Sequence, residues 1–252
     1  NYKMVRYTLG VILMFEAFFL LVPILTALCY GEWQSLIASA LTALICVVIA
    51  APFVLKKPKN TVLFAKEGFV IVSLSWVILS AFGALPFVIS GSIPNYIDAL
   101  FETASGFTTT GSTVVASVED LPKAMLMWRS FTHWVGGMGV LVFIMAILPL
   151  SGAQNMHIMR AESPGPQVSK LVPRIKKTAS ILYLIYIGLT LIMFMLLIID
   201  PDIGAFEALN TAMATAGTGG FGFKNDSLFS FSSYAQIIAT VFMLLFSINF
   251  NS

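Results

Sequence analysis

Between Ala104 and Val114 the sequence reads Ala-Ser-Gly-Phe-Thr-Thr-Thr-Gly-Ser-Thr-Val, a concentration of hydroxyls and glycine set between two long apolar stretches. Residues of these types suit a path for a bare cation. Threonine hydroxyls and backbone carbonyls can replace an ion's water shell, and rings of such carbonyls build ion filters. Glycine reaches dihedrals that other residues adopt only at a cost, which lets carbonyls turn toward an ion. Irregular backbone at membrane depth is tolerated only where it is buried in protein or lines a watery path. Taken alone, the run is also what an ordinary polar turn looks like.

A second copy separates the two readings. Asp98-Ala99-Leu100 aligns with Glu207-Ala208-Leu209, an offset of 109 residues (207 − 98). At that offset Thr109-Thr110-Gly111-Ser112-Thr113 falls on Thr218-Gly219-Gly220-Phe221-Gly222, and the apolar span after Lys66 falls on the one after Ile175. Ungapped repetition of span, short segment, polar loop and span is the internal symmetry from which many membrane transporters are built.

Thr218-Gly219-Gly220-Phe221-Gly222 resembles the Thr-Val-Gly-Tyr-Gly filter of potassium channels. Phe101 to Gly111, together with His133-Trp134-Val135-Gly136-Gly137-Met138-Gly139, resembles the TrkH branch of the Trk/Ktr/HKT potassium transporters. The resemblance runs over essentially the whole chain. It implies an all-α integral membrane protein with four membrane–pore–membrane repeats around one potassium-channel-like pore, preceded by an extra helix pair. It further implies potassium uptake across the bacterial inner membrane. It implies a homodimer and gating by a cytosolic nucleotide-binding regulatory ring, and it implies no nucleic acid partner. Only two repeats are present here. The same offset carries the last span past Ser252, so the expectation is part of a chain about twice as long, or else two copies assembling to make four loops.

The filter residues expected on this basis are Thr108, Thr109, Thr110, Gly111 and Ser112 in the first loop, and Gly217, Thr218, Gly219, Gly220 and Phe221 in the second. Potassium would bind backbone carbonyls at Thr109, Thr110, Gly111, Thr218, Gly219 and Gly220. Ser112 and Thr113 stand where the channel motif has tyrosine and glycine. The first loop would therefore coordinate ions less completely, and a poorly selective or sodium-permeable transporter is the near alternative. A broken-helix solute symporter is the alternative of another class. It would need a half-helix N-terminus at the site, whereas both short helices point their partly negative C-termini at the loops, which favours a cation.

Composition places these loops in a membrane. Apolar residues make up 58% of the 252 and charged residues only 10%, with a mean hydropathy of +0.91, against about 25% charged in soluble domains. The length then suits a bundle of about six spans rather than one or two soluble domains. Spans are expected at 7–30, 34–55, 67–90, 122–149, 178–199 and from 231 onward, with half-helices at 95–107 and 204–216. The corresponding units are an extra pair at 1–60, repeat 1 at 61–150, a cytoplasmic loop at 151–177 and repeat 2 at 178–252. Pro23 should kink the first span. Glu16, inside that span, should face other helices or water rather than lipid. Gly136-Gly137-Met138-Gly139 either permits close packing or breaks the helix beside the pore.

Eleven of the fourteen Lys and Arg lie at the N-terminus, in 56–66 and in 150–177, which makes that side cytoplasmic. Glu32, Glu119, Asp120, Asp200, Asp202 and Asp226 lie opposite, with Asp98, Glu102 and Glu207 on the half-helices, as an acidic vestibule that concentrates cations. The basic 150–177 loop could meet the regulatory ring or lipid headgroups. Cys29 and Cys46 read as small buried hydrophobes. His133 reads as a structural group and His157 carries no signal. No serine–histidine–acid set, carboxylate pair or metal cluster suggests an enzyme.

Overall fold

The computed structural model describes residues 1–56, 58, 64–139 and 175–248. Among these the architecture is helical. Helix α1 (Tyr2–Phe19) opens at Asn1, whose side chain accepts from the Met4 amide at 3.3 Å. It gives way at Leu20 to α2 (Leu21–Tyr30). The break sits three residues before Pro23, whose missing N–H leaves the Phe19 carbonyl without its helical donor. Gly31, with φ of 71°, closes α2 in the left-handed conformation. Helix α3 spans Trp33–Val54.

The next span is also interrupted by proline. Helix α4 (Ala65–Gly83) stops at Ala84, two residues before Pro86, and a short α5 (Leu85–Ile89) completes the crossing. The half-helix α6 (Tyr96–Phe107) is capped by Asn95, whose side chain accepts from the Ile97 amide at 2.9 Å. A 3₁₀ turn at Val118–Asp120 leads to α7 (Lys123–Gly137). The first amides of α7 are capped from a distance: Lys123 and Ala124 donate to the two carboxylate oxygens of Glu32 at 2.7 and 2.9 Å. After it come α8 (Ile175–Ile198), the second half-helix α9 (Ala205–Ala216) and α10 (Ser233–Ser247). Ser232 caps α10, and its hydroxyl donates to Asp200.

The 109-residue offset is exact for the half-helices: Tyr96–Phe107 maps onto Ala205–Ala216 at both ends. Helix α7 packs between them, with α2 on a further side; α1 lies on α3 and α4, and α8 and α10 lie on α9. Trp128, Phe107 and Phe87 are among the largest fully buried side chains. The Trp128 indole donates to the Gly83 carbonyl at 2.9 Å, tying α7 to the end of α4.

Among the described residues, four stretches are long and apolar enough to cross a membrane: Tyr2–Tyr30, Trp33–Val54, Lys66–Ile89 and Ser180–Ile198. Their outer faces carry Leu25, Leu44, Val77, Leu184 and Met195, all exposed. Apolar surface of that extent belongs in lipid. Helix α7 ends at its glycines, with Gly139 at φ of 71°; the remainder of the 122–149 span, His157 and most of the 150–177 loop lie outside the described residues. Glu16 faces protein, fully buried, with its Oε1 beside Gly83. Cys46 is buried, but Cys29 is exposed on α2, unlike the buried position expected for it.

Candidate functional site

Each half-helix ends in the same two-step backbone reversal. Thr109 and Thr218 take φ of 54° and 57°, and Gly111 and Gly220 take 74° and 68°. Both pairs keep the 109-residue offset. A left-handed threonine costs roughly 1–2 kcal/mol, so the surrounding structure must impose it at both positions. The reversal is seeded identically: the Thr109 amide donates to the Gly106 carbonyl at 3.0 Å, and the Thr218 amide to the Thr215 carbonyl at 2.9 Å. Beyond it the chain leaves each helix as an irregular strand, with the helix C-terminus directed at the loop.

The two loops touch. A Cβ on Gly111 would fall on the Gly219 carbonyl oxygen and lie 2.8 Å from its carbon. A Cβ on Gly219 would in turn overlap the Thr109 oxygen. Helix α7 closes against both half-helix ends through glycine. At Gly136 a side chain would collide with the Phe107 carbonyl, and at Gly137 it would come within 2.9 Å of the Gly217 Cα. The glycine run thus serves both expected roles, close packing and helix termination beside the loops.

The expected filter residues divide by environment. Thr108, Thr110, Thr218 and Gly220 are exposed, and Thr109, Gly111 and Gly219 partly so. The Thr108 hydroxyl donates to the Ala104 carbonyl at 2.7 Å and shares a hydrogen bond with Thr110 at 2.8 Å. Ser112 differs, since its carbonyl accepts from the Ser105 hydroxyl at 2.5 Å and so faces the half-helix. The Gly220 carbonyl accepts from the Gly222 amide at 2.7 Å. Gly217 is the buried cap of α9 against the His133 ring, and the Phe221 side chain points into the protein, 1% exposed.

Behind the loops lies a buried ion pair. Arg129 Nε donates to Glu102 Oε1 at 2.5 Å, with side-chain exposures of 2% and 0%. Glu102 also accepts from the Thr113 hydroxyl and the Val114 amide, holding the exit of the first loop. Arg129 Nη1 donates to the Gly222 carbonyl at 2.6 Å, holding the exit of the second, and its guanidinium stands 3.6 Å from the Phe221 ring centroid. Glu102 is therefore withdrawn from the expected acidic vestibule. Asp200 is withdrawn too, 6% exposed and engaged by Ser232 and the Asp202 amide. In both cases a nearby donor inside the protein outcompetes water for the carboxylate. At membrane depth an acid in a half-helix calls for a partner, but the sequence does not say which group supplies it.

Further out, Asn225 accepts from the Val118 amide at 2.8 Å and donates its own backbone amide to Glu119 at 3.1 Å, joining the two exits again. Glu32, Glu119, Asp120, Asp202 and Glu207 border one cleft of about 990 Å³ with Lys123 and Lys224. Five carboxylates against two lysines make that cleft acidic on balance, and none of the expected filter residues lines it. Lys123 lies over the Tyr30 ring at 4.2 Å. No cluster of His, Cys, Asp and Glu able to hold a metal ion occurs among the described residues.

The sequence profile of the TrkH family, described as cation transport protein, matches residues 34–251. The Trk system potassium uptake protein TrkH of Vibrio parahaemolyticus is 37% identical over 99% of this chain and 52% of its own length. Its namesake in Escherichia coli K12 is 36% identical over the same shares. The crystal structure of the potassium transporter TrkH from Vibrio parahaemolyticus superposes with a TM-score of 0.81 at 31% identity, covering 100% of this chain and 51% of that one. The chain spans about half the length of the relatives it matches. With matched half-helices, matched loop reversals and these likenesses together, the chain belongs to the TrkH family of cation transport proteins.

Proposed function

We propose that this chain contributes two of four filter loops to a potassium uptake pathway in the bacterial inner membrane. The ion would be held by backbone carbonyls of Thr109, Thr110, Gly111, Thr218, Gly219 and Gly220. The observation that carries the reading is the repeated pair of left-handed residues, Thr109 with Gly111 and Thr218 with Gly220, each at the C-terminus of a half-helix. Helix C-termini carry partial negative charge and favour a cation, and carbonyls stacked by such reversals can replace an ion's hydration shell. The same polarity speaks against a broken-helix symporter for an anionic solute, since both half-helices present the wrong end. Relatives named as potassium uptake proteins support the choice of ion.

A poorly selective, sodium-permeable pore is the second reading. It is favoured by one specific observation: the Ser112 carbonyl accepts from the Ser105 hydroxyl and the Thr113 hydroxyl donates to Glu102, so both are turned toward the half-helix rather than toward an ion. A homodimer gated by a cytosolic nucleotide-binding ring completes the proposal as a family implication. The test is uptake of rubidium by a potassium-uptake-deficient strain carrying the complete gene. Strong competition by potassium and weak competition by sodium supports the first reading, and equal competition supports the second.

A further inference from the structure

The two loops are held from behind by different means. In the first, the Thr110 and Gly111 amides both turn back to the Ser105 carbonyl of their own half-helix, at 3.0 and 3.4 Å. In the second, the Gly219 amide, which matches Thr110, donates instead to His133 Nε2 at 3.1 Å. His133 belongs to α7, which leaves the first repeat. Its ring is fully buried, stacks on Phe221 at 5.4 Å and 29°, and lies so close to the loop that a Cβ on Gly217 or Gly219 would overlap its carbons. The first loop has Thr108 and Thr110 at the matching places, where no imidazole could fit. The glycines of the second loop thus match the ring in shape as well as the hydrogen bond in direction. Phe221 is itself fixed on the Arg129 guanidinium.

From this geometry we infer that His133 is a positioning residue for the second loop, setting the orientation of the Thr218–Gly219 peptide. A trans peptide carries its N–H and C=O on opposite sides, and no cis bond occurs among the described residues. Aiming the Gly219 N–H at His133 therefore aims the Thr218 carbonyl away from α7, toward the exposed side of the loop. An N–H without an acceptor would leave that peptide free to turn over, carrying the carbonyl with it. Nε2 accepts here, so the neutral ring carries its proton on Nδ1. Cation preference in the second repeat thereby depends on a side chain from the first. The inference rests on the proposed filter role of these loops.

The test uses the complete transporter with His133→Gln, His133→Leu and His133→Asn. Glutamine reaches with an acceptor; leucine has none and asparagine is too short. Two readouts are taken at matched membrane levels: rubidium uptake competed by sodium, and the Gly219 amide shift. Labelling with ¹³C′-threonine and ¹⁵N-glycine selects Thr–Gly peptides, which in this sequence are Thr110–Gly111 and Thr218–Gly219. The expected result is a potassium preference kept within about twofold by glutamine and reduced at least tenfold by leucine and asparagine, with the Gly219 amide proton moving upfield in those two alone. Unchanged preference and unchanged shift in His133→Leu or His133→Asn would overturn the inference. So would failure of both variants to reach the membrane, which would make His133 an assembly residue. If the wild type itself shows no ion preference, the potassium reading fails, while the amide shift still decides whether His133 holds the peptide.

Discussion

Replacing Arg129 by methionine should destabilise the protein chiefly through the charge it strands. Glu102 would remain at 0% exposure with the Thr113 hydroxyl and the Val114 amide as its donors. Breaking a buried pair by removing one partner costs about 3–5 kcal/mol. Arg129→Met belongs at the upper end, because it also gives up a charged hydrogen bond to the Gly222 carbonyl and the contact with the Phe221 ring, each worth roughly 2 kcal/mol. Glu102→Gln keeps the shape and some donors' partners, and belongs at about 3 kcal/mol on the same scale. The double variant removes both charges, so its loss should fall short of the sum by about 2 kcal/mol, within the range measured for contacting residues. Reversible unfolding of the complete protein in mixed micelles, read for wild type, both singles and the double, closes the cycle. Additivity to within about 0.5 kcal/mol would refute the claim that this pair ties the two loop exits together.

Three further outcomes follow from the loops and helix ends. Gly111→Ala should impair uptake far more than Gly220→Ala, in a rubidium flux assay at equal expression: both carry positive φ, but only at Gly111 would a Cβ strike the neighbouring loop. Gly136→Ala should abolish assembly, seen as loss of the monodisperse peak in size-exclusion chromatography, because the added methyl meets the Phe107 carbonyl; Gly204→Ala, with open space around it, should leave the peak unchanged. Asn95→Ala should cost about 1 kcal/mol of stability through loss of a helix cap, measured by the same micelle unfolding, with ion preference unaltered since Asn95 lies at the far end of α6 from the loop.

Much of this was legible in the sequence because it depends on periodicity. Hydropathy marks the spans, and the offset between Asp98-Ala99-Leu100 and Glu207-Ala208-Leu209 relates both half-helices, whose expected starts at 95 and 204 prove to be the caps and not the first helical residues. Glycine and threonine types marked the loops. What stayed hidden depends on which distant groups meet. Nothing local to Glu102 distinguishes a vestibule carboxylate from the partner of Arg129, 27 residues on. Asp200 reads as an outer turn until Ser232 is known to face it. His133 read as structural, and only the closeness of Gly217 and Gly219 reveals what it holds. The breaks near Leu20 and Ala84 are proline effects, the first legible at Pro23 and the second equally so at Pro86.

The central claim is that a cation sits on the carbonyls of these two reversals. Anomalous diffraction from crystals of the complete protein grown with rubidium tests it most directly. A peak bounded by the Thr109, Thr110, Thr218 and Gly219 carbonyls is expected, lost when sodium replaces rubidium. An empty space between the loops, with rubidium bound elsewhere in the protein, would contradict it.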